Sequence, residues 1–502
     1  MLVLDHVRYG FVSGPRWHPT LFRRAHFCFP EERSSRYSTM SSGSRAQAVM
    51  RLFRFPKSNH PRNLTPALAK HGEHHKKNAL ELHFAPEPAR ITLKSQSEAI
   101  SLRELVLWRC KSLFTKYQPT WWLPNGHMQT LHSVVGDFSA EDQMWYERRL
   151  LRLSDGGTLG LDFAPLNPAL ADETPIVVVQ SGLTGGSHEP YVRAVLAPAT
   201  APVDEGGLGF RAIVVNFRGC SGVPVTSPRF YNACGTDDLR QALTYISSRY
   251  PNAPLLGLGF SIGANVLIRY LAEEGANSAL SAAVTLGNPW NLVQNTLALR
   301  ESRIGSLYLR GMGAGIKTLL LHHQTAFLAN PVSAMALKPL LRMKNPSLFD
   351  FDHGYTRLAG EKPPFPFKSV YDYYEFASTH EVVADVRVPC LTINAADDPV
   401  VPHVQRPSPR AQDNGFLVSA ITKAGGHLGW YTGHDGRRRW STKPVLEWLE
   451  LFGRHVVHER RVVSISRDGD GFLREPQWPN LGCTEGGTGI VNGNRPNMLQ
   501  GF

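Results

Sequence analysis

An α/β fold with a largely parallel sheet, covered by helices on both faces, is predicted by three features of this sequence. From Pro175 onward, short apolar runs of strand length alternate with segments of helical apolar spacing, the pattern of consecutive βαβ units. One such run, residues 255–260, passes through Gly259-Phe260-Ser261-Ile262-Gly263 into a segment with apolar residues at Ile262, Val266, Leu267, Tyr270 and Leu271, a strand, a sharp turn and a helix in succession. The chain is also long enough, at 502 residues and 42% hydrophobic, to build a substantial core in one large domain or two medium ones.

Residues 1–95 are rich in Arg, Ser, Pro and His and carry no sustained periodicity, so they are expected to form a basic extension of low order outside the core. Structure is expected to begin with a helix over 101–117, where Ser101 and Glu104 have the spacing of a capping box and Leu105, Leu107, Trp108 and Leu113 supply apolar positions. Residues 119–131, dense in aromatic and turn residues, are expected to pack beside the substrate pocket. Segments 146–153 and 158–163, separated by Ser154-Asp155-Gly156-Gly157, read as a β-hairpin. The sheet strands follow at 176–180, 212–217, 255–260, 282–286, 390–394 and 416–422, with helices over 189–197 and 236–250 between the earlier ones.

The gap of about a hundred residues before Cys390 is far longer than an ordinary connection in an α/β unit, so residues 289–380 are read as an inserted helical lid. Its leucines, with Met312 and Phe327, would suit an acyl chain. A closing helix over 437–455 completes a domain spanning 100–455, and the Gly- and Asn-rich residues 465–502 read as a disordered tail.

The formal charge of +12 is concentrated in the first eighty residues, which argues against a nucleic-acid-binding core. That Arg- and Ser-rich, acid-poor composition fits an organelle transit peptide and equally a disordered basic tail, so a mitochondrial, plastid or cytoplasmic address stays open within an intracellular protein. No stretch reaches the eighteen or so apolar residues of a membrane-spanning helix, which predicts a soluble chain or one in peripheral membrane contact. Six scattered cysteines form no Cys-x-x-Cys pair, so neither a disulfide framework nor a metal site is expected. No phosphate-cradling Gly-x-x-x-x-Gly-Lys-Ser/Thr occurs either, and no cofactor is expected.

The turn at Ser261 has the form of a nucleophile elbow, in which flanking glycines let the backbone pass closely and the serine hydroxyl stands over a helix N-terminus. Such a serine needs a base and a carboxylate to orient that base, in the chain order Ser, Asp, His. Asp397-Asp398-Pro399-Val400-Val401-Pro402 follows a predicted strand, and Asp398, four residues before Pro402, is taken as the acid, with Asp397 as a turn or cap residue. His427, in the glycine-flanked loop Gly425-Gly426-His427-Leu428-Gly429 after the last strand, is the expected base. His434 is its near competitor, whereas His403, His455 and His458 sit less suitably. Oxyanion donors are expected at the amides of Ile262 and of Leu183, the latter in the glycine-rich loop 181–187. His132 and Asp137 match an acyltransferase spacing that twenty histidines would produce by chance.

Assembled, these residues resemble the AB hydrolase 4 family of α/β-hydrolases, which includes animal medium-chain phospholipases, monoacylglycerol lipases, yeast ethanol acyltransferases and bacterial esterases. The match is carried by Trp122-Leu123-Pro124-Asn125-Gly126-His127-Met128-Gln129-Thr130, by residues 182–193, by Asn216-Phe217-Arg218-Gly219-Cys220-Ser221-Gly222, by residues 259–265, by Asp397-Asp398-Pro399 and by residues 425–429. It runs from about residue 105 to about 452. The resemblance implies an α/β-hydrolase fold with a mostly parallel eight-stranded sheet, a triad of Ser261, Asp398 and His427, and a carboxylic ester substrate of short or medium acyl chain, lipid or small molecule. An alcohol acyltransferase using the same triad, or a non-catalytic binding protein on the same fold, is the alternative. Two departures are seen: Ser181-Gly182 replaces the usual His-Gly of the oxyanion loop, and the membrane anchor of the animal members is not found, so membrane residence is not implied. The oligomeric state is not legible.

Overall fold

The computed structural model describes residues 80–95, 98–167, 169–360, 363–403, 408–458 and 464–494. Residues 1–79 of the expected basic extension fall outside the described residues, whereas 80–95 do not form a low-order segment: Glu81–Phe84 and Arg90–Ile91 are strands and Ile91 and Leu93 are buried in the core, so the ordered domain begins before residue 100.

Among the described residues, twelve strands form the main sheet: β1 (Glu81–Phe84), β2 (Trp145–Leu153), β3 (Thr158–Ala164), β4 (Ile176–Gln180), β5 (Arg211–Asn216), β6 (Leu255–Phe260), β7 (Ala282–Leu286), β8 (Cys390–Ala395), β9 (Leu417–Thr422), β10 (Ser466–Arg467), β11 (Leu473–Arg474) and β12 (Cys483–Asn492). Their order across the sheet is β1-β9-β8-β7-β6-β4-β5-β3-β2-β12-β11-β10. The six strands β5, β4, β6, β7, β8 and β9 pair in parallel and form its centre. They are buried on both faces, which is why they read in the sequence as continuous apolar runs rather than as alternations.

Alternate residues of each central strand enter opposite cores. Val177 and Val179 of β4 pack with Leu256, Leu258 and the closing-helix residues Trp448 and Phe452, whereas Ile176 and Val178 pack with Ile213, Val215 and the helix residues Leu243, Ile246, Leu267 and Leu271. Among the described residues, and leaving aside the single turn Pro409–Gln412, the helices are α1 (Leu102–Arg109), α2 (Gly126–Val135), α3 (Pro190–Thr200), α4 (Asp237–Arg249), α5 (Ile262–Glu274), six helices of the insertion, and α12 (Thr442–Glu450). The Ser101–Glu104 capping box forms at the start of α1, but the helix stops at Arg109 and a 3₁₀ turn over Lys111–Phe114 replaces the rest of the expected element. The closing helix likewise starts at Thr442 and ends in a π turn over Leu451–His455.

Two boundaries need correction. The eight strands β2 to β9 are present, but the sheet has twelve, because β1 adds antiparallel to β9 at one edge and β12, β11 and β10 extend the other. The C-terminal segment expected to be a disordered tail instead supplies β12, which runs antiparallel to β2 from Cys483 opposite Leu153 to Asn492 opposite Trp145, with a bulge between Glu485 and Thr488. Its composition misled because Gly and Asn are poor strand formers. β12 is held at the sheet margin by backbone hydrogen bonds, with only its Cys483 end fully buried, so it requires little apolar content.

The insertion between β7 and β8 folds as α6 (Leu292–Glu301), α7 (Arg303–His322), α8 (Gln324–Ala329), α9 (Pro331–Arg342), α10 (Leu348–Gly354) and α11 (Val370–Ala377). Helix α7 starts at Ser302, whose hydroxyl accepts the Gly305 N–H, and α9 at Asn330 with Pro331 in its first turn. Leu309, Met312, Ile316 and Leu320 form one buried face of α7, at the three- and four-residue spacing of a helix. That face packs with Phe327, Leu337, Phe351 and Leu183 in a third core.

Beneath the β4 loop lies a buried charge network. Asp162 of β3, fully buried, accepts from Arg148 Nε at 2.6 Å and Nη2 at 2.7 Å, from Ser187 Oγ at 2.5 Å and from Asn216 Nδ2 at 2.9 Å. Asp162→Ala should leave the Arg148 guanidinium without its bidentate partner and lower stability by about 3–5 kcal/mol, read as a fall in the urea midpoint.

Candidate active site

The turn between β6 and α5 sets the serine. Ser261 takes φ 51° and ψ −121°, a conformation L-residues rarely adopt, and its N–H is tied to Leu286 O at 2.9 Å. A side chain at Gly259 would sit 2.7 Å from Ala264 Cα, and one at Gly263 would sit 2.3 Å from Ser181 O. Both glycines are thus required by close backbone approach, which is the physical content of the Gly-x-Ser-x-Gly spacing.

The loops after β8 and β9 bring two further groups to the serine. His427 Nε2 lies 2.9 Å from Ser261 Oγ, and His427 Nδ1 lies 2.8 Å from Asp398 Oδ2. The second Asp398 oxygen accepts the Val400 and Val401 amides at 2.8 and 2.9 Å. Both carboxylate oxygens are thereby assigned, one to the backbone and one to the imidazole. Asp397 points elsewhere: its Oδ1 accepts the Gly426 N–H at 3.0 Å and holds the histidine loop. Burial pushes the Asp397 carboxyl up, and backbone N–H groups of Gly426, Gly126 and Gly425 oppose that shift. His427 and Asp398 are almost completely buried, so their mutual hydrogen bond is screened by little water.

The histidine loop has a support that the sequence reading did not assign. Thr130 Oγ1 accepts the His427 N–H at 2.8 Å and donates to Gly126 O at 2.8 Å, while Gln129 Oε1 accepts from Tyr431 N at 3.1 Å. Both belong to the aromatic segment expected beside the pocket. The segment packs against the loop carrying His427, beside the site, and none of residues 119–131 lines the cavity itself. Its turn residues were a signal of close packing, but they could not name the partner. His132 is also structural, half-buried among the rings of Trp122, Phe138 and Tyr431, with desolvation bringing its imidazole down to about 4. Asp137, by contrast, lies at the surface and accepts the Ser139 N–H at 2.9 Å.

Of the amides proposed as oxyanion donors, Ile262 opens α5 directly after Ser261 and Leu183 lies in the loop after β4, and both residues line the same cavity as Ser261. Tyr191 Oη accepts the Gly182 N–H at 3.0 Å and Tyr231 Oη accepts the Thr184 N–H at 3.0 Å. Leu183 sits between them, and neither its N–H nor that of Ile262 makes a backbone bond among the described residues. Burial pushes both phenols well above their ordinary range, so they stay neutral hydroxyls able to accept. Ser181, the departure from the usual His-Gly, is buried beneath this loop. Tyr231→Phe keeps the ring and removes the acceptor for Thr184, whose φ is 58°. It should lower kcat about tenfold with KM changed less than about twofold, in steady-state assays on a chromogenic ester.

Ser261, Ile262 and Leu183 open onto a cavity of about 110 Å³, whose cap side is formed by Leu299, Leu309, Met312 and Ile316. Tyr308 of α7 reaches from the cap to His127 Nδ1 at 3.0 Å. Among the described residues no group of His, Cys, Asp and Glu is placed to hold a metal ion, and no helix is long and apolar enough to cross a membrane.

Residues 175–413 match the family model described as the alpha/beta hydrolase fold. An embryogenesis-associated protein, EMB8, of Picea glauca is 31% identical over 380 residues, covering 73% of this chain and 79% of its own length. The monoacylglycerol lipase of Saccharomyces cerevisiae is 27% identical over 400 residues, covering 72% of this chain and 86% of its own. A medium-chain fatty acid ethyl ester synthase/esterase of the same yeast is 29% identical, with 67% and 86% covered.

Proposed function

Since the chain belongs to the α/β-hydrolase family, we propose that it is a serine hydrolase of lipid or small-molecule carboxylic esters with short or medium acyl chains, acting through an acyl-enzyme on Ser261. The observation carrying this reading is the unbroken hydrogen-bonded series Ser261, His427, Asp398 at the mouth of an apolar cavity. Relatives named monoacylglycerol lipase and ethyl ester synthase/esterase support an ester substrate with an aliphatic acyl part.

In this mechanism His427 Nε2 takes the Ser261 proton as Oγ attacks the ester carbonyl, and Asp398 stabilises the imidazolium that forms. The carbonyl oxygen, now an oxyanion, is met by the amides of Leu183 and Ile262 and by the positive end of the α5 dipole. His427 then returns the proton to the leaving alcohol. Water activated by the same imidazole resolves the acyl-enzyme, and the apolar cap keeps the acyl chain out of bulk solvent.

A fluorophosphonate probe tests the reading directly. The purified wild type is expected to label at Ser261 and to hydrolyse p-nitrophenyl esters with an optimum at short or medium chain length. A folded wild type that neither labels nor hydrolyses would instead leave a non-catalytic binding protein.

A further inference from the structure

One carboxyl group in the cavity has no part in the chemistry above. Asp352, on α10, lines the same cavity as Ser261 and is nearly buried. Its Oδ2 accepts from Tyr374 Oη at 2.8 Å, and Thr356 supplies a second hydroxyl. Among the described residues no ion pair includes it. Burial raises its carboxyl to about 6, against the lowering effect of the two hydroxyls. A buried carboxyl without a cation is costly, and an apolar residue would pack as well against Phe351 and Tyr355 if the cavity received only plain alkyl chains. Two hydroxyls already donate to this cavity-lining carboxylate, and its remaining acceptor capacity can take a donor on the substrate. A hydroxyl suits it better than an ammonium, because a neutral donor gives up less hydration on entering and still makes a charge-assisted hydrogen bond. Other polar residues that line the cavity, among them Thr356, Tyr374 and Asn232, are also of hydroxyl and amide type.

We propose that Asp352 forms a hydroxyl-reading subsite, which makes the protein selective for esters whose buried acyl arm carries a hydroxyl distant from the scissile carbonyl. This rests on Ser261 being the nucleophile of the same cavity. The test is the ratio of kcat/KM for ω-hydroxy and unsubstituted p-nitrophenyl esters, from hexanoate to dodecanoate, measured within one preparation so that any general loss of activity cancels.

In the wild type the hydroxylated ester should be favoured about tenfold at the chain length that reaches Asp352, the discrimination expected when a carboxylate gains a charge-assisted hydrogen bond that the plain chain cannot make. Asp352→Leu should bring the ratio to about one or below by substituting an apolar surface. Asp352→Asn, which keeps the shape, should cut it about threefold or more and serves if the leucine variant does not fold. A wild-type ratio near one at every length, or an unchanged ratio in the folded variants, overturns the subsite while leaving the hydrolase intact. Preference for an ω-amino over an ω-hydroxy chain overturns it in favour of a cation site. A wild type that hydrolyses none of the esters and takes no fluorophosphonate overturns the serine mechanism and the subsite together.

Discussion

Ser261→Ala is expected to abolish fluorophosphonate labelling and to lower kcat for ester hydrolysis by about 10⁴–10⁶-fold, while the protein stays folded. In the proposed mechanism the substitution removes the atom that bonds to the acyl group. It also leaves the elbow intact, because the turn is set by the Ser261 N–H to Leu286 O bond and by the close approaches at Gly259 and Gly263, none of which involves the hydroxyl. KM should change little, since the walls of the cavity proposed to hold the acyl chain are untouched. The residual rate is what the oxyanion amides and substrate binding give to attack by water. A variant that retains a tenth of wild-type kcat would exclude Ser261 as nucleophile, and mass spectrometry of the probe-labelled wild type would then locate the true one.

Asp398→Asn is expected to lower kcat about 10⁴-fold, with the direction set by hydrogen-bond geometry. One Asp398 oxygen accepts two backbone amides, Val400 and Val401. An asparagine there must keep its carbonyl toward those donors and turn its NH₂ toward His427 Nδ1. The imidazole is then forced to accept at Nδ1 and to carry its proton on Nε2, where it cannot take the proton of Ser261. Asp397→Asn makes a contrasting control, because its carboxylate meets the loop amide of Gly426 rather than the imidazole. Its effect should be about tenfold or less, through looser placement of the loop. Steady-state kinetics on one chromogenic ester distinguish the two aspartates. Equal losses would mean that the carboxylate pair acts as a unit.

Much of the fold could be read from the chain because its central strands are buried on both faces. Residues 176–180, 255–260 and 282–286 are predominantly apolar, with Gln180 and Thr285 the polar exceptions, and the structure has strands with those bounds. The Ser101–Glu104 cap was equally visible, since a capping box is a local interaction. Strand β12 was hidden for the opposite reason. Its stabilisation is a backbone ladder with β2, some three hundred residues away, and its sequence Cys-Thr-Glu-Gly-Gly-Thr-Gly-Ile-Val-Asn carries almost no side-chain signal of it. Thr130, Tyr191 and Tyr231 were missed as supports for the same kind of reason. A hydroxyl that accepts one distant amide leaves no period and no spacing in the chain.

The sequence by itself determined the elements whose causes are local: the strand, turn and helix around Ser261, the order of serine, aspartate and histidine, the length of the insertion and the apolar face of its helices. Which aspartate oxygen meets which donor, which amides stay free beside Ser261, what braces His427 and where Asp352 points were decided only by tertiary structure. These depend on contacts between residues far apart in the chain, closed to about 3 Å, and a hydrogen bond loses most of its strength within a fraction of an ångström beyond that. Local propensity places a residue on an element, but only packing of the whole sheet and cap fixes positions that finely.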